Sequence, residues 1–382
     1  MTHPVSPAFI AAACRTAVVP RNGAFAVIEA YDLAAPVIRA LLEVTGLEPS
    51  SVGRIIMGNA LYGGGNPARM AGLAAGLPAG VSALTLDSQC CAGLDAIAIG
   101  STLIASGQAR AVIAGGLESY SRAPIRQRRP LVVDEAPAAY DRPPFTPWPH
   151  ADPDMIEAAA ALAAELGIDR RAQEAFAIAS HARALAGKSS RCREIVAVGA
   201  VDRDVFARPL SSALCRRLPP LAGDPDHALT AATVAVEADA AAAVLLVDEA
   251  LLSGLRLSGA PIRVAASASS GGDPVRPGLA AMEPARKALA ASGVSAKDLA
   301  AVEIMEAFAA QAMSFISSLR APENVVNMGG GALARGHPIG ASGAILAVRL
   351  FHELQIAPTG ALGLAAIAAA GGLGSALMLH RP

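Results

Sequence analysis

The sequence predicts an α/β fold built from two related halves, and three observations predict it. Short apolar runs of strand character alternate with helical patterns along most of the chain. The order turn, small-residue helix, apolar strand, Gly-Gly occurs twice, once from Ser88-Gln89-Cys90 and once from Gly336-His337-Pro338. With 382 residues, the chain is long enough for about two cores.

Taken in order, Ala8 to Cys14 reads as a strand, followed by Arg15-Thr16-Ala17. A helix is expected from about Leu33 to Val44, with Val37, Ile38, Leu41 and Leu42 on one face and Pro36 in its first turn. Ile55 to Ala60 is a second strand. Asn66 should cap the next helix, with Pro67 at its first position. Ala83 to Leu86 then leads into the turn Asp87-Ser88-Gln89-Cys90-Cys91 and a helix running to about Ser106. Ala111 to Gly116 reads as a buried strand. Residues 120 to about 230 change character. They hold Pro-rich punctuation, the lone Trp148 and two helical segments, Met155 to Leu166 and Arg171 to Leu185, so they read as an excursion that carries binding surface. Strand character returns at Ala241 to Val247 and Ile262 to Ala266, and a helix follows Gly340. A buried strand from Leu362 to Ala369 ends in Gly371-Gly372.

Composition narrows the functions. Mean hydropathy is +0.44, and 53% of residues are hydrophobic. That content is mostly Ala, Val, Leu and Ile interrupted by Gly, Pro or charge, with no apolar run of about 18 residues, so no membrane span is expected. The net charge of −1 and an aromatic content of 3% argue against nucleic acid. The seven histidines are dispersed without ligand spacing, so no metal is expected. An odd set of cysteines (Cys14, Cys90, Cys91, Cys192, Cys215) and the lack of a leader suggest reduced thiols and a cytoplasmic location.

Two residues carry candidate chemistry. Cys90 sits where a strand meets a helix start, and the unsatisfied N–H groups and positive end of a helix favour a thiolate. Cys91 is its competitor, with packing as its expected role. His337 lies in Gly329-Gly330-Gly331 to Gly340, where glycines let the backbone approach a ligand, and the duplication puts it opposite Cys90. An imidazole there can take the thiol proton. His181 is expected to pack or cap within its own helix. Arg122 to Arg129 is a basic patch that is either a solvated loop or a contact for the phosphates of a nucleotide-bearing substrate.

These blocks resemble the thiolase family along nearly the whole chain. The matching stretches are Arg15-Thr-Ala17, Gly65-Asn-Pro-Ala-Arg69, Gln89-Cys-Cys-Ala-Gly-Leu94, Ala114-Gly-Gly-Leu-Glu-Ser119, Ser180-His181, Glu306-Ala-Phe-Ala-Ala-Gln311 and Gly336-His-Pro-Ile-Gly-Ala-Ser-Gly343. The resemblance implies a duplicated αβαβα layered fold with an inserted loop domain. Its halves would be 1–119 with 231–255 and 256–382, and residues 120–230 would cover a coenzyme A site. It further implies an acyl-CoA substrate, no cofactor, and a homodimer or homotetramer. Cys90 would accept the acyl group and His337 would activate it, with substrate contacts at Ala235, Met305, Phe308 and Gly372.

The departures sort by reaction step. Ala368 stands where the family carries a second cysteine that moves a proton at the substrate α-carbon. Met305 replaces the Asn of the Asn-Glu-Ala-Phe motif, Ala235 replaces a Ser, and Asp154 replaces a loop histidine. Acylation of Cys90 keeps its groups, whereas carbon–carbon chemistry loses its base. Three readings follow. The chain is an acyltransferase with a different acceptor, a partner subunit or a decarboxylating nucleophile that needs no base; or a thiolase with a substitute base such as Cys91, Glu306 or water; or a non-catalytic subunit that binds CoA esters or supports a partner.

Overall fold

The computed structural model describes residues 6–62, 64–187 and 193–382; Cys192 lies outside them. The first half contains β1 (Phe9–Arg15), α1 (Ala30–Thr45), β2 (Arg54–Gly58), α2 (Pro67–Ala74), β3 (Ser82–Leu86), α3 (Ala92–Ala105) and β4 (Ala111–Glu118). Two long helices follow, α4 (Met155–Glu165) and α5 (Arg170–Ala186), before β5 (Ala238–Val247) returns to the sheet. The second half contains β6 (Ile262–Gly271), α6 (Met282–Ser292), β7 (Ala301–Ile304), α7 (Ala309–Leu319), α8 (Ile339–Ile356), β8 (Leu362–Ala369) and β9 (Leu373–His380).

The sheet runs in the order β7-β8-β9-β6-β1-β5-β4-β2-β3, with Val19–Pro20 as a short tenth strand on β5. The two halves repeat this order. In the first, β1-β5-β4-β2-β3 places antiparallel pairs beside parallel ones. In the second, β6-β9-β8-β7 does the same, and an isolated parallel bridge from Val302 to Val326 occupies the place that β3 holds in the first. The halves join edge to edge where Phe9 and Ile10 pair with Arg263 and Ile262. The duplication read from the sequence is therefore present as strand topology.

Period-two alternation explains the layering. Along β5, Ala240, Ala242, Val244 and Leu246 enter the central core around α3 and α8, whereas Ala241, Ala243, Leu245 and Val247 enter the outer core beneath α1 and α2. A third core lies under α6 and α7. A strand buried on both faces has no polar positions to spare, and for that reason these strands read as continuous apolar runs. Helices α3 and α8 face each other across the central core at backbone contact. A Cβ on Gly93 would meet the Ala344 nitrogen at 2.7 Å, and one on Gly343 would meet the Leu94 nitrogen at 2.6 Å.

Local expectations held with one correction. Asn66 caps α2 by accepting from the Arg69 N–H at 3.2 Å, with Pro67 at the first helical position. Helix α1 starts at Ala30, earlier than expected, so Pro36 lies inside the helix rather than in its first turn. Pro36 removes the donor that the Asp32 carbonyl would use, and Asp32 is exposed, so water can supply the bond.

A buried ion network ties the excursion to both halves. Arg15 at the end of β1 donates to Glu194 at 2.6 and 2.9 Å and to Asp204 at 2.7 and 2.9 Å. Arg349 of α8 reaches the other Glu194 oxygen at 2.5 Å and also pairs with Glu353. The guanidinium groups hold Glu194 down at about 2 against the effect of burial.

Candidate active site

Cys90 sits in a short turn, Gln89–Cys91, between β3 and α3. Gln89 adopts φ +55°, a left-handed conformation that is uncommon outside glycine, so the chain bends sharply as it presents the next residue. The Asp87 carboxylate holds this bend by accepting from the Gln89 backbone and side chain at 2.8 and 3.0 Å. Asp95, in the first turn of α3, accepts from Ser88 and from Ser375 of β9, both at 2.5 Å. The turn is thus anchored to the opposite half.

His337 precedes α8 at the matching point of the second half. Its backbone N–H donates to the Val236 carbonyl at 2.7 Å, and Gly336 before it has φ +117°. The Cys90 Sγ lies 3.2 Å from His337 Nε2, and His337 Nδ1 lies 2.7 Å from Ser342 Oγ. Ser342 directs its hydroxyl proton to the Pro338 carbonyl at 3.0 Å. That assigns the imidazole proton to Nδ1 and leaves the Nε2 lone pair toward the thiol.

Electrostatics keep this pair neutral at rest. Burial pushes the Cys90 thiol up to about 12, opposed by the backbone N–H groups of Cys90 and Ala370 and assisted by the Glu118 and Asp87 charges. Burial alone lowers His337 to about 4. Glu118, at the end of β4, is raised by burial to about 7 although it accepts from the backbone of Ala60 at 3.0 Å and Gly340 at 2.9 Å. The backbone N–H groups of Cys90 and Ala370 favour the thiolate at this sulfur.

A cavity of about 580 Å³ opens onto the pair. Of the substrate contacts expected from sequence, Ala235 and Phe308 line it, as do Ala368 and Asp154. Two expectations need correction. Met305 is packed into the central core and does not line the cavity, because its backbone N–H joins Ala366 on β8 and turns the side chain inward. Gly372 is occupied by backbone contact, its carbonyl accepting from Gly272 at 2.7 Å, and lies off the cavity.

The substitute bases named above fare differently from Cys90. Cys91 is buried and directs its sulfur to the Ile367 carbonyl at 3.6 Å, the packing role expected of it. Glu306 is buried as well, accepting from Ser180 at 2.6 Å and Asn327 at 2.7 Å, and neither residue lines the cavity. His181 packs against Phe206 and accepts from the Arg208 N–H at 3.2 Å, so it ties α5 to a distant loop rather than capping its own helix. The basic patch divides: Arg126 lines the cavity, whereas Arg122 pairs with Glu29 at the surface.

Sequence reasoning missed Tyr120 and Glu237, which also line the cavity. Tyr120 lies one residue beyond the Ala114 to Ser119 block. In a chain with only four tyrosines, a phenol next to a chemical motif is a usable signal.

The comparisons agree with this architecture. Residues 8–250 match the model of the thiolase N-terminal domain, and residues 260–381 match that of the thiolase C-terminal domain. An acetyl-CoA acetyltransferase of Pseudomonas aeruginosa is 38% identical, over 97% of this chain and 98% of that relative. One of Cupriavidus necator is 35% identical, over 97% and 98% respectively. The crystal structure of the Bacillus anthracis acetyl-CoA acetyltransferase superposes with a TM-score of 0.90 at 28% identity, covering 99% of this chain and 100% of that one. Two facing helix starts, one bearing a thiol and the other an imidazole, within a fold and sequence shared with these proteins over the whole length, make the chain a member of the thiolase family.

Proposed function

We propose that this chain is an acyltransferase that draws an acyl group from an acyl-CoA onto Cys90 as a thioester and passes it to a second acceptor. The observation that carries the reading is the 3.2 Å contact between the Cys90 sulfur and the unprotonated His337 nitrogen inside the cavity. In this reading Nε2 takes the thiol proton as sulfur attacks the acyl carbon. The N–H groups of Cys90 and Ala370 receive the oxygen as it becomes negative, and the CoA thiolate leaves with the proton returned by the imidazolium. The names of the relatives, acetyl-CoA acetyltransferases, support a CoA thioester as donor.

Residues 120–230 form the proposed coenzyme A wall. Arg126 and Arg142 line the cavity from this segment, and Arg276 does so from the second half, giving cationic groups suited to the phosphates of CoA. A homodimer or homotetramer fits the open sheet edge at β3, where Leu84 is exposed beside Met70 and Leu73 of α2, and a cytoplasmic location fits the reduced cysteines among the described residues.

Incubation with acetyl-CoA, followed by acid quench, digestion and mass analysis, tests the reading. An acetyl group on the peptide containing Cys90, absent in Cys90→Ser, is the expected result. An unmodified Cys90 peptide under those conditions rejects the acyl-cysteine and favours a CoA-ester-binding subunit, and unchanged acyl transfer in Cys90→Ser would show that Cys90 is not the acyl carrier.

A further inference from the structure

Resting on the acyl-cysteine reading, we propose that the Tyr120 hydroxyl is the general acid that protonates the α-carbon of the acetyl-CoA released when a 3-ketoacyl-CoA is cleaved. This is the proton transfer that the methyl group of Ala368 cannot perform.

The cavity itself narrows the choice. Of the proton-bearing or charged side chains along it, most are engaged elsewhere. Arg142 pairs with Asp152, Arg276 with Glu165 and Glu237 with Arg21, Arg126 donates to the Ala60 carbonyl at 3.4 Å, the Asp154 carboxylate caps α4, and Asp141 is exposed to solvent. The Tyr120 hydroxyl has no hydrogen-bond partner among the described residues, although Tyr120 lines the same cavity as Cys90, His337 and Ala368. The hydroxyl is open to the cavity, so a bound substrate can take the place of water at it.

The backbone around Tyr120 is fixed. Glu118 holds the Gly340 N–H at the head of α8, and Ser121 donates to Asp239 from its backbone at 3.0 Å and its hydroxyl at 2.5 Å. Burial, with the Glu237, Cys90 and Glu118 charges and against the opposing Arg21, raises the phenol well above its ordinary value, so it rests protonated and available as an acid.

The proposed sequence balances. As Cys90 attacks the 3-keto carbon, its proton passes to His337. The C2–C3 bond breaks, and its electron pair goes to C2, forming the acetyl-CoA enolate. The phenol proton bonds to C2, giving the methyl group of acetyl-CoA and a Tyr120 phenolate. The incoming CoA thiol returns a proton to the phenolate and attacks the acyl carbon, and Cys90 leaves as a thiolate that recovers its proton from His337. A thioester α-C–H is a much weaker acid than even this phenol, so the protonation of C2 runs downhill.

The experiment compares wild type, Tyr120→Phe, Ala368→Cys and the double variant Y120F/A368C. Each is assayed for acetylation of Cys90 by acetyl-CoA and, separately, for CoA-dependent cleavage of acetoacetyl-CoA. Tyr120→Phe should still acetylate Cys90 but lose cleavage by about 10²–10⁴-fold, the range of a general acid. In the Ala368→Cys background, where a thiol can supply the proton, Tyr120→Phe should cost less than about fivefold, whereas a merely structural role would cost the same in both backgrounds. Cleavage by Tyr120→Phe within about fivefold of wild type, a parallel loss of acetylation and cleavage, or a Tyr120→Phe loss as large in the Ala368→Cys background as in wild type would overturn the proposal. So would a wild type that is acetylated but does not cleave. A wild type whose Cys90 is not acetylated brings down the acyl-cysteine itself, a distinguishable failure.

Discussion

The two helix starts that meet in the middle of this molecule are built alike and do different work. Helix α3 follows β3 through a left-handed Gln89 and presents a thiol; α8 follows a glycine at φ +117° and presents an imidazole. The strands after these helices diverge further. β4 ends in the buried Glu118 carboxylate, which binds the Ala60 and Gly340 N–H groups, whereas β8 ends in Ala368 and Ala369, which put only methyl groups on the cavity wall. A duplicated fold thus supplies two equivalent positions facing one space, and the chemistry comes from the side chains that break the equivalence.

Emptying one of those positions should have the largest effect. His337→Asn keeps a polar group but no base of comparable strength, and acylation of Cys90 should slow by about 10²–10⁴-fold in a rapid-quench assay. The same pair fixes a pH response. Because burial lowers His337 to about 4, its basic form is present throughout the neutral range. The acylation rate should therefore hold as pH falls toward 5 and drop only as His337 protonates near 4; a drop centred near 6.5 would mean a solvated imidazole.

The halves are also tied to each other, and breaking that tie comes next. Glu194 joins Arg15 of the first half to Arg349 of the second, all three buried. Glu194→Ala leaves two buried guanidinium groups short of a counter-charge and should destabilise the protein by about 3–5 kcal/mol in urea denaturation. Where the helices touch, the halves are nearly symmetric, so Gly93→Ala and Gly343→Ala should cost similar amounts, about 1–3 kcal/mol each. A large difference between them would show that only one helix can yield. The smallest effect is expected at α2, where the comparison fails locally. Asn66 caps α2, whereas α7 in the second half begins at Phe308 without a side-chain cap. Asn66→Ala should cost about 1 kcal/mol in the same measurement.

Much of this was legible because it is local. Alternation of apolar strands with small-residue helices marked the layers, and Asn66-Pro67 marked a helix start. The repeated turn, helix, strand and Gly-Gly order marked the duplication that brings Cys90 to His337. What sequence reasoning missed depends on which way a side chain turns once its backbone is placed. Met305 shares a motif with Phe308, yet the pairing of its backbone with Ala366 sends it into the core while Phe308 reaches the cavity. Pro36 fell inside α1 because packing against the sheet extended the helix beyond the point where local propensity would start it.

By itself, then, the sequence determined the alternating layers, the doubling of the fold, and a cysteine and a histidine at corresponding helix starts, since periodicity and turn chemistry act over a few residues. Only the tertiary structure decided the 3.2 Å separation of that pair, the tautomer set by Ser342, and the presence of Tyr120 in the cavity wall. The first and the last depend on segments more than a hundred residues apart packing to within an atom's width, and the tautomer on how the His337 ring turns toward Ser342 five residues on; no spacing along the chain records either.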